Sequence, residues 1–318
     1  MKRAVAFLCA ACLAQAPSPK FTVAHTLTGH HRYVSAVAFS PDSRLLATGS
    51  WEGSVKLWNV GTGEAERTLS GHEMGVTCVA FSPDGHLLAA GSHDTTVTIW
   101  DLASARLVHR LDNNAAYVLS VAFSPDGRWL ASSTSHGLIK LWDAAKGTEV
   151  RSFEGQSLAV YSVTFSPDSR MLATGGRDEN VHIWDVDTGK ELRKFPGGPG
   201  QFYAYSVAFS PDGSRIAAGA TSGRIKIWET ATGKLLCSMN PGNTQPHILP
   251  IAFSPDGRWL LSGNSHSFLE IWDVETGQKL DTLSGHSAAV ESVAVSPDGK
   301  WLASGGDDDT AKLWRRAP

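Results

Sequence analysis

The sequence has few cysteines, and their placement does not predict a disulfide-stabilised protein. Only 4 of 318 residues are cysteine, and Cys9 and Cys12 lie in an N-terminal segment of different composition. Cys78 and Cys237 fall in different units of the repeat described below, on an inner and an outer strand, so their geometry disfavours a bridge. We interpret them as small buried apolar side chains. Cysteine content therefore indicates no cellular compartment.

The sequence also has no excess of either charge. Its 28 Lys and Arg residues against 31 Asp and Glu residues give a formal net charge of −3. Proteins that follow nucleic-acid phosphates carry clustered basic residues, and because no such cluster is present we predict no nucleic-acid partner. No apolar run approaches the roughly 18 residues typical of a transmembrane helix, so no membrane span is predicted.

Catalytic and metal-binding motifs are missing as well. The sequence contains no nucleophile elbow, no phosphate-binding glycine loop and no carboxylates paired for acid and base chemistry. Its 12 histidines include no HxxxH or HExxH pair, and the run Asp307–Asp309 does not have the ligand spacing of a calcium loop. Four further histidines are spread around the rim over three repeats: His93, His136, His247 and His266. We predict no catalytic residue, no metal site and no cofactor.

A repeat of about 42 residues organises most of the chain. A proline in an SPD turn is followed 17 residues later by a tryptophan, in the pairs Pro41/Trp58, Pro83/Trp100, Pro125/Trp142, Pro167/Trp184, Pro211/Trp228, Pro255/Trp272 and Pro297/Trp314. The distance from each tryptophan to the next proline varies only between 25 and 27 residues. This period is typical of one blade of a β-propeller.

The last repeat predicts only three strands, and the start of the chain supplies the fourth that it lacks. In the last repeat, Val290–Val295, Trp301–Ser304 and Ala311–Trp314 read as strands separated by turns. Shifting the first repeat back by one period aligns Phe21–Leu27 with the fourth strands of the other repeats. We predict an all-β, seven-bladed propeller of four-stranded antiparallel blades, closed by pairing of this N-terminal strand with the last blade, which leaves no open sheet edge.

The repeats resemble the WD-repeat (WD40-type) propeller family. The resemblance rests on GH before the first strand, Asp in the second turn and Trp at the end of the third strand, and it covers Phe21 to the C-terminus. It implies a hydrogen-bonded set of His, Ser or Thr, Asp and Trp in each blade. The last blade matches fully, with His286, Ser304, Asp308 and Trp314.

The other blades depart from that pattern. Blade one has His30, Thr48 and Trp58, with Glu52 for Asp; blade two has His72, Asp94 and Trp100, with Ala90 for the hydroxyl residue. In blades three, five and six the Asp position carries His136, Ser222 and His266. Each missing link is expected to remove about 1 kcal/mol of hydrogen bonding, so packing must stabilise most blades.

Residues 1–20 lie outside the repeat. Lys2 and Arg3 precede the apolar run Ala4–Ala14 and the small-residue site Ala14-Gln15-Ala16. This layout predicts a signal peptide over residues 1–16, a linker over 17–20 and a propeller over 21–318, in an exported protein, periplasmic or secreted. The alternatives are cleavage after Ala14, a lipid anchor at Cys12 and a cytoplasmic protein that keeps the leader.

The two rims of the ring differ in how much they vary. The rim of SPDG turns is uniform, which turn geometry explains. The opposite rim carries the connections HHRY, HEMG, NNAAY, GQSLA, PGGPGQFYAY, PGNTQPHI and HSAA. Binding specificity is expected where the scaffold does not dictate the sequence. We therefore predict a partner site there, formed by Tyr33, Trp51, Tyr117, Tyr161, Arg177, Phe202, Tyr203 and Tyr205.

Two interpretations of these aromatic residues remain open. Aromatic and arginine residues at a concave ring mouth are typical of binding hot spots, but the tyrosines also fit as spacers between inner strands. Trp51 is expected to be exposed, in a turn that offers little to pack against. The resemblance implies a non-catalytic, monomeric scaffold for a protein or peptide. The rival hypothesis is a small-ligand-binding or hydrolytic propeller using the central channel, where Glu291 is the single acid at an inner-strand start.

Overall fold

A computed structural model describes residues 18–112, 116–153, 156, 158–198, 202–239 and 250–317. The described chain forms strands β1 to β28 and contains no helix. The strands of the first half are β1 (Phe21–Leu27), β2 (Val34–Phe39), β3 (Leu45–Ser50), β4 (Ser54–Asn59), β5 (Ala65–Ser70), β6 (Val76–Phe81), β7 (Leu87–Ser92), β8 (Thr96–Asp101), β9 (Arg106–Asp112), β10 (Val118–Phe123), β11 (Trp129–Thr134), β12 (Ile139–Asp143), β13 (Thr148–Phe153) and β14 (Val160–Phe165). Those of the second half are β15 (Met171–Gly176), β16 (Asn180–Asp185), β17 (Glu191–Pro196), β18 (Ala204–Phe209), β19 (Arg215–Ala220), β20 (Ile225–Glu229), β21 (Leu235–Met239), β22 (Ile251–Phe253), β23 (Trp259–Gly263), β24 (Phe268–Asp273), β25 (Lys279–Ser284), β26 (Val290–Val295), β27 (Trp301–Gly306) and β28 (Ala311–Arg316).

The strands form seven antiparallel sheets of four, which confirms the predicted propeller. Six sheets take four consecutive strands each, from β2-β3-β4-β5 in blade one to β22-β23-β24-β25 in blade six. The seventh has the order β1-β28-β27-β26. Here Val23 pairs with Trp314 and Leu27 with Ala311. The predicted closure by the N-terminal strand is therefore confirmed.

Burial follows the position of a strand within its blade. The second strands are almost wholly buried, as in Leu45–Ser50, whereas outer strands such as Ala65–Ser70 expose every residue but one. The reason is that neighbouring blades cover both faces of the middle strands. Adjacent blades approach closely at Gly49, where a Cβ atom would lie 2.6 Å from Val76 Cγ1. A larger residue there would push two blades apart.

The uniform rim is explained by a self-contained turn. In blade one the Ser40 hydroxyl donates to Asp42 Oδ1 at 2.6 Å, and the Leu45 amide donates to Ser40 Oγ at 2.9 Å. Ser43, which follows Asp42, has a φ of 62°. This is the left-handed region that favours glycine, and glycine is found at most of the equivalent positions. The SPDG sequence therefore satisfies the needs of the turn itself.

Serine hydroxyls join neighbouring inner strands around the channel. The Val37 amide of blade one donates to Ser292 Oγ of blade seven at 3.1 Å, which links the two ends of the ring. The same bond recurs between later blades, from Val163 to Ser120, from Val207 to Ser162 and from Ile251 to Ser206. These bonds fix the heights of the inner strands relative to one another.

The hydrogen-bonded set of the last blade forms as the resemblance implies. Trp314 Nε1 donates to Ser304 Oγ at 2.9 Å, and Ser304 Oγ lies 2.7 Å from His286 Nε2. His286 Nδ1 lies 3.0 Å from Asp308, whose carboxylate also accepts the Ser287 amide at 2.9 Å. These contacts are consistent with a neutral histidine that accepts a hydrogen bond at Nε2 and donates one from Nδ1.

Blades one and two keep the histidine contacts of the set despite their substitutions. Glu52 replaces Asp, with its Oε1 2.7 Å from His30 Nδ1. In blade two the expectation of a missing hydroxyl is wrong, because Thr98 Oγ1 lies 2.7 Å from His72 Nε2. Thr98 is the cross-strand partner of Ala90, so the hydroxyl comes from β8 instead of β7.

The remaining blades keep parts of the set. Tryptophan Nε1 donates to a hydroxyl in three of them, at 2.9 Å each, in the pairs Trp142/Ser132, Trp184/Thr174 and Trp272/Ser262. In blade four Gln156 takes the place of the histidine, and its Oε1 accepts the Thr174 hydroxyl at 2.8 Å. Glutamine can therefore occupy this position in this fold.

Cys78 and Cys237 are both free thiols, as expected, but each is only partly buried. The interpretation of both as buried side chains is therefore confirmed only in part. The predicted signal peptide over residues 1–16 and the first residue of the linker lie outside the described residues. At residues 18–20 the Ser18 hydroxyl donates to the Leu280 carbonyl at 3.2 Å and Lys20 pairs with Asp281 at 3.1 Å.

Burial sets the protonation of the hydrogen-bonded histidines. It lowers the pKa of His286 below the ordinary 6.5, although the Asp308 carboxylate opposes the shift. His30 and His72 are lowered for the same reason. Burial also raises the pKa of Asp308, but hydrogen bonds from Thr310, the Ser287 amide and His286 outweigh it and bring that pKa to about 2.

We expect the free energy of unfolding to fall as the pH falls below about 6.5. Between the lowered pKa of the folded histidines and their ordinary pKa, the unfolded chain binds more protons, so acid favours unfolding. His286→Gln should cost less than about 1 kcal/mol at neutral pH, whereas His286→Ala should cost about 1–3 kcal/mol by leaving buried polar groups unpaired. Urea denaturation of the three proteins measures this.

The same variants isolate the contribution of His286 to the pH dependence. His286→Gln should lose less stability than the wild type between about pH 7.5 and about pH 5.5, a range in which Asp308 stays ionised. An identical loss in both proteins contradicts the assignment of the acid sensitivity to this histidine.

Candidate functional site

The rim opposite the SPDG turns, called the variable rim here, is built from paired positions. Each pair consists of the residue at the second turn of a blade and the residue just before its inner strand. The amide of the first donates to the carbonyl of the second in the pairs Trp51/Tyr33, His93/Gly75, Ser135/Tyr117, Arg177/Ala159, Thr221/Tyr203 and Asp307/Ala289, at 2.9–3.1 Å. The backbone is thus the same in six blades, and only the side chains differ.

An aromatic row crosses the variable rim over blades one to three. Tyr33 and Trp51 stack with ring centroids 5.0 Å apart, and Trp51 meets His93 edge-on at 4.3 Å. His93 in turn stacks on Tyr117 at 4.3 Å and 11°. The structure therefore brings Tyr33, Trp51 and Tyr117 together, with His93 as a link that the sequence did not single out for binding.

Trp51 is packed, which corrects the expectation of a free exposed ring. Its side chain is half-buried, and a Cβ atom on Gly75 would lie 2.7 Å from the ring. Gly75 stands in blade two at the position that Tyr33 holds in blade one. The glycine in the connection HEMG was the available signal, since it leaves the space that the indole fills.

Among the described residues of the connections before the inner strands, three large apolar side chains are exposed. Tyr117 is 46% exposed, Met74 47% and Leu158 45%. They belong to the connections before the inner strands of blades three, two and four. Met74 and Leu158 were missed because they are not aromatic, although an apolar residue in a rim connection is itself a signal.

Phe202 is not on the surface, which corrects its assignment to the partner site. Its side chain is 0% exposed and meets Trp228 edge-on at 6.0 Å. His30 meets Trp58 of blade one in a similar way, edge-on at 6.3 Å. Blade five has Ala218 where a hydroxyl would stand, and the phenyl ring fills the corresponding space with apolar contact.

The other predicted residues lie on blades four and five. Tyr161 and Tyr205 are neighbours, with ring centroids 5.7 Å apart, at the inner-strand level. Tyr203 is half-buried at the rim, and Arg177 is exposed in the second turn of blade four. Arg177 and Tyr203 are not joined to the aromatic row by any of the described ring contacts.

A cavity of about 300 Å³ lies on the ring axis and is lined by inner strands of all seven blades. Its wall includes Tyr33, Tyr161, Tyr205 and Glu291, and it reaches the rim at Trp51 and His93. Burial raises the pKa of Glu291 to about 7, with a further contribution from Asp307. Burial also raises the pKa of Tyr33 to about 12.

A larger depression of about 910 Å³ lies on the opposite rim. It is lined by SPD turns of blades five and six, and Arg215 and Glu275 form an ion pair there at 2.7 Å. Its charged side chains are mixed in sign. The turn chemistry accounts for its residues, so it offers less indication of a specific ligand than the axial cavity.

Two other kinds of structural feature are absent from the described residues. No group of three or more His, Cys, Asp or Glu side chains is arranged to hold a metal ion. In the same part of the chain, no helix has the length and apolar character needed to cross a membrane.

Comparison with known families places the repeats in register with the blades. The family model described as WD domain, G-beta repeat, matches residues 21–59, 63–101, 105–143, 147–185, 189–229, 239–273 and 277–315. Together these segments cover most of the chain. The first segment begins with the closing strand β1.

Individual relatives match over short segments. The chain is 49% identical over 47 residues to Protein Mut11 of Chlamydomonas reinhardtii, which covers 15% of this chain and 13% of that protein. It is 43% identical over 49 residues to the nuclear distribution protein PAC1 of Coprinopsis cinerea (15% and 11%), and 38% identical over 50 residues to the small ribosomal subunit protein RACK1y of Oryza sativa (15% of each). Each match spans about one repeat and less than a sixth of the relative.

The packing of the aromatic row predicts different stability costs for truncating Trp51 inside the row and Tyr117 at its end. Trp51→Ala should destabilise the protein by about 1–3 kcal/mol, because it removes contacts with Tyr33, His93 and the Gly75 backbone. Tyr117→Ala should cost only about 0.5–1 kcal/mol, because nearly half of the ring is in solvent. Urea denaturation of both variants, with Trp51→Phe as the conservative control, tests this. Equal costs for the two alanine variants would show that the row is not packed as described.

Proposed function

This chain belongs to the WD40 repeat family, and we propose on that basis that it is a non-catalytic scaffold that binds a protein or peptide on its variable rim. The observation that carries the proposal is the apolar surface of Met74, Tyr117 and Leu158 beside the aromatic row. Apolar surface grouped on one rim is typical of an interaction site.

The scaffold suits this role because its rim is fixed before a partner arrives. Backbone hydrogen bonds hold the paired rim positions of six blades in one geometry. A partner then meets side chains that lose little conformational entropy on binding, which leaves more of the contact energy as affinity. The family generally mediates protein interactions, and the rice relative is by its name a protein of the small ribosomal subunit.

The hydrolytic alternative in the central channel has less support. General acid and base chemistry needs two groups that converge on a substrate. Among the described residues that line the axial cavity, Glu291 is the single carboxylate. We therefore retain only the ligand-binding part of that hypothesis, which is developed below.

The proposal predicts that the exposed rim residues, and not exposed apolar residues in general, capture the partner. We expect Tyr117→Ser/Leu158→Ser to lower partner recovery about tenfold or more, because hot-spot side chains contribute at least about 1.4 kcal/mol each. The measurement is affinity capture of the tagged full chain from its native host, quantified by mass spectrometry.

Two outer-strand residues provide a matched control. Leu107 and Leu235 are 46% and 45% exposed, against 46% and 45% for Tyr117 and Leu158. Leu107→Ser/Leu235→Ser should leave the set of captured proteins unchanged. If both pairs lose the same partners, or neither does, the variable rim is not the binding surface.

We further propose that residues 1–16 are a signal peptide and that the protein is exported, to the periplasm or the medium. Lys2 and Arg3, the apolar run and the Ala14-Gln15-Ala16 site support this. The mass of the protein recovered from its host should correspond to a chain without residues 1–16. An intact leader would favour the cytoplasmic alternative.

A further inference from the structure

Six of the seven blades contribute the second residue of their inner strand to the wall of the axial cavity, as far as the described residues show. Five of the described residues at this position are uncharged and one is acidic: Ser35, Thr77, Leu119, Tyr161, Tyr205 and Glu291. Leu119 shows that the fold accepts an apolar side chain at this position. The carboxyl group of Glu291 is therefore not a requirement of the scaffold.

Among the described residues, Glu291 has no partner of opposite charge. Lysine and arginine are absent from the described residues that line the cavity, and no hydrogen bond or ion pair to the Glu291 carboxyl is formed within the described chain. Asp307 adds negative charge nearby. A half-buried carboxylate without a cation or donor is unfavourable and calls for a compensating group.

The rest of the wall restricts what that group can be. Tyr33 and Tyr205 line the same cavity as Glu291. Aromatic faces attract cations, and phenolic oxygens accept hydrogen bonds from them. An anion would meet Glu291 and Asp307, and a purely apolar group would leave the carboxylate unpaired.

We propose that the axial cavity binds the ammonium or guanidinium group of a lysine or arginine side chain presented by the partner, with Glu291 as its counter-ion. This inference rests on the proposed function and names the part of the partner that is recognised. A partner side chain is the source because the cavity reaches the variable rim at Trp51 and His93. A peptide bound across the exposed apolar residues can thus place one side chain on the axis.

The site predicts a pH dependence of cation binding. The pKa of Glu291 is about 7 in the free protein, so its ionised fraction rises from about a tenth at about pH 6 to about nine tenths at about pH 8. The association constant for a cation should therefore rise about tenfold over this range. Among the described residues, the other titratable or charged groups around the cavity are His93, Cys78, Tyr33, Tyr161 and Tyr205, with Asp307 and Arg32 close by.

The test is calorimetric titration of the full chain with capped tripeptides in which lysine, arginine or glutamine lies between two alanines. At about pH 8 we expect the lysine or arginine peptide to bind at least about tenfold more tightly than the glutamine peptide. At about pH 6 the same cationic peptide should bind about tenfold more weakly than it does at about pH 8. Glu291→Gln should remove this preference and the associated pH dependence. Any pH dependence of binding that remains in Glu291→Gln is attributed to the titration of His93 or Asp307.

A matched control separates local pairing from the general field of the rim. Asp309 is an exposed acid of the same blade with a φ of 60°, which asparagine also tolerates. Asp309→Asn should change cationic-peptide binding by less than about twofold, because solvent screens this charge. In the wild-type protein, cation binding near pH 7 should also release about half a proton, measured in two buffers of different ionisation enthalpy.

Three results would overturn the site. The first is that the glutamine peptide binds as tightly as the cationic peptides, and the second is that Glu291→Gln binds the cationic peptides as tightly as the wild type. The third is that the protein binds butylammonium or butylguanidinium but binds neither cationic peptide. These titrations need no natural partner, so they are independent of the capture experiment. If the cationic peptides bind but the rim variant Tyr117→Ser/Leu158→Ser captures the same proteins as the wild type, only the scaffold function is refuted. If the rim variant loses its partners but the cationic peptides do not bind, only the cation site is refuted.

Discussion

The pairing of β1 with β28 is the interaction on which the rest of the structure depends. Phe21 and Leu27 are buried at the two ends of β1, and Phe21 meets Trp259 of blade six edge-on at 5.8 Å. Because every core cluster lies between neighbouring blades, an open ring would expose the clusters on both sides of the gap. Closure also forms the axial cavity, since it brings Glu291 of blade seven beside Tyr33 of blade one.

The fold could be predicted from the sequence because each blade repeats the same turn and strand residues at nearly the same spacing. The constant distance from SPD proline to tryptophan fixes two turns and two strands, and alternation of apolar residues identifies the first strand. The closing strand was also predictable, since Phe21–Leu27 aligned with outer strands and had no blade of its own. Seven copies in register make an accidental match of this kind improbable.

The site could be predicted only in part, because its contacts cross between blades or strands. The packing of Trp51 depends on a glycine one blade away, and the hydroxyl for His72 comes from Thr98 on the neighbouring strand. Phe202 lies one residue before Tyr203, which holds the position of Tyr33, and its ring packs in the core beside Trp228, where blade five lacks a hydroxyl residue. Alignment of repeats compares equivalent positions, whereas these contacts join positions that are not equivalent.

The propeller separates the residues that maintain the fold from those that are free to vary. Turn hydroxyls, inter-blade serines and backbone rim bonds meet the needs of each blade without the rim side chains. A residue that the fold neither requires nor compensates then points to a constraint from outside the fold. Glu291 meets that condition, because Leu119 fills the same position without its desolvation cost. Retaining an uncompensated carboxyl lowers stability, and binding of a cation is the process that offsets this loss.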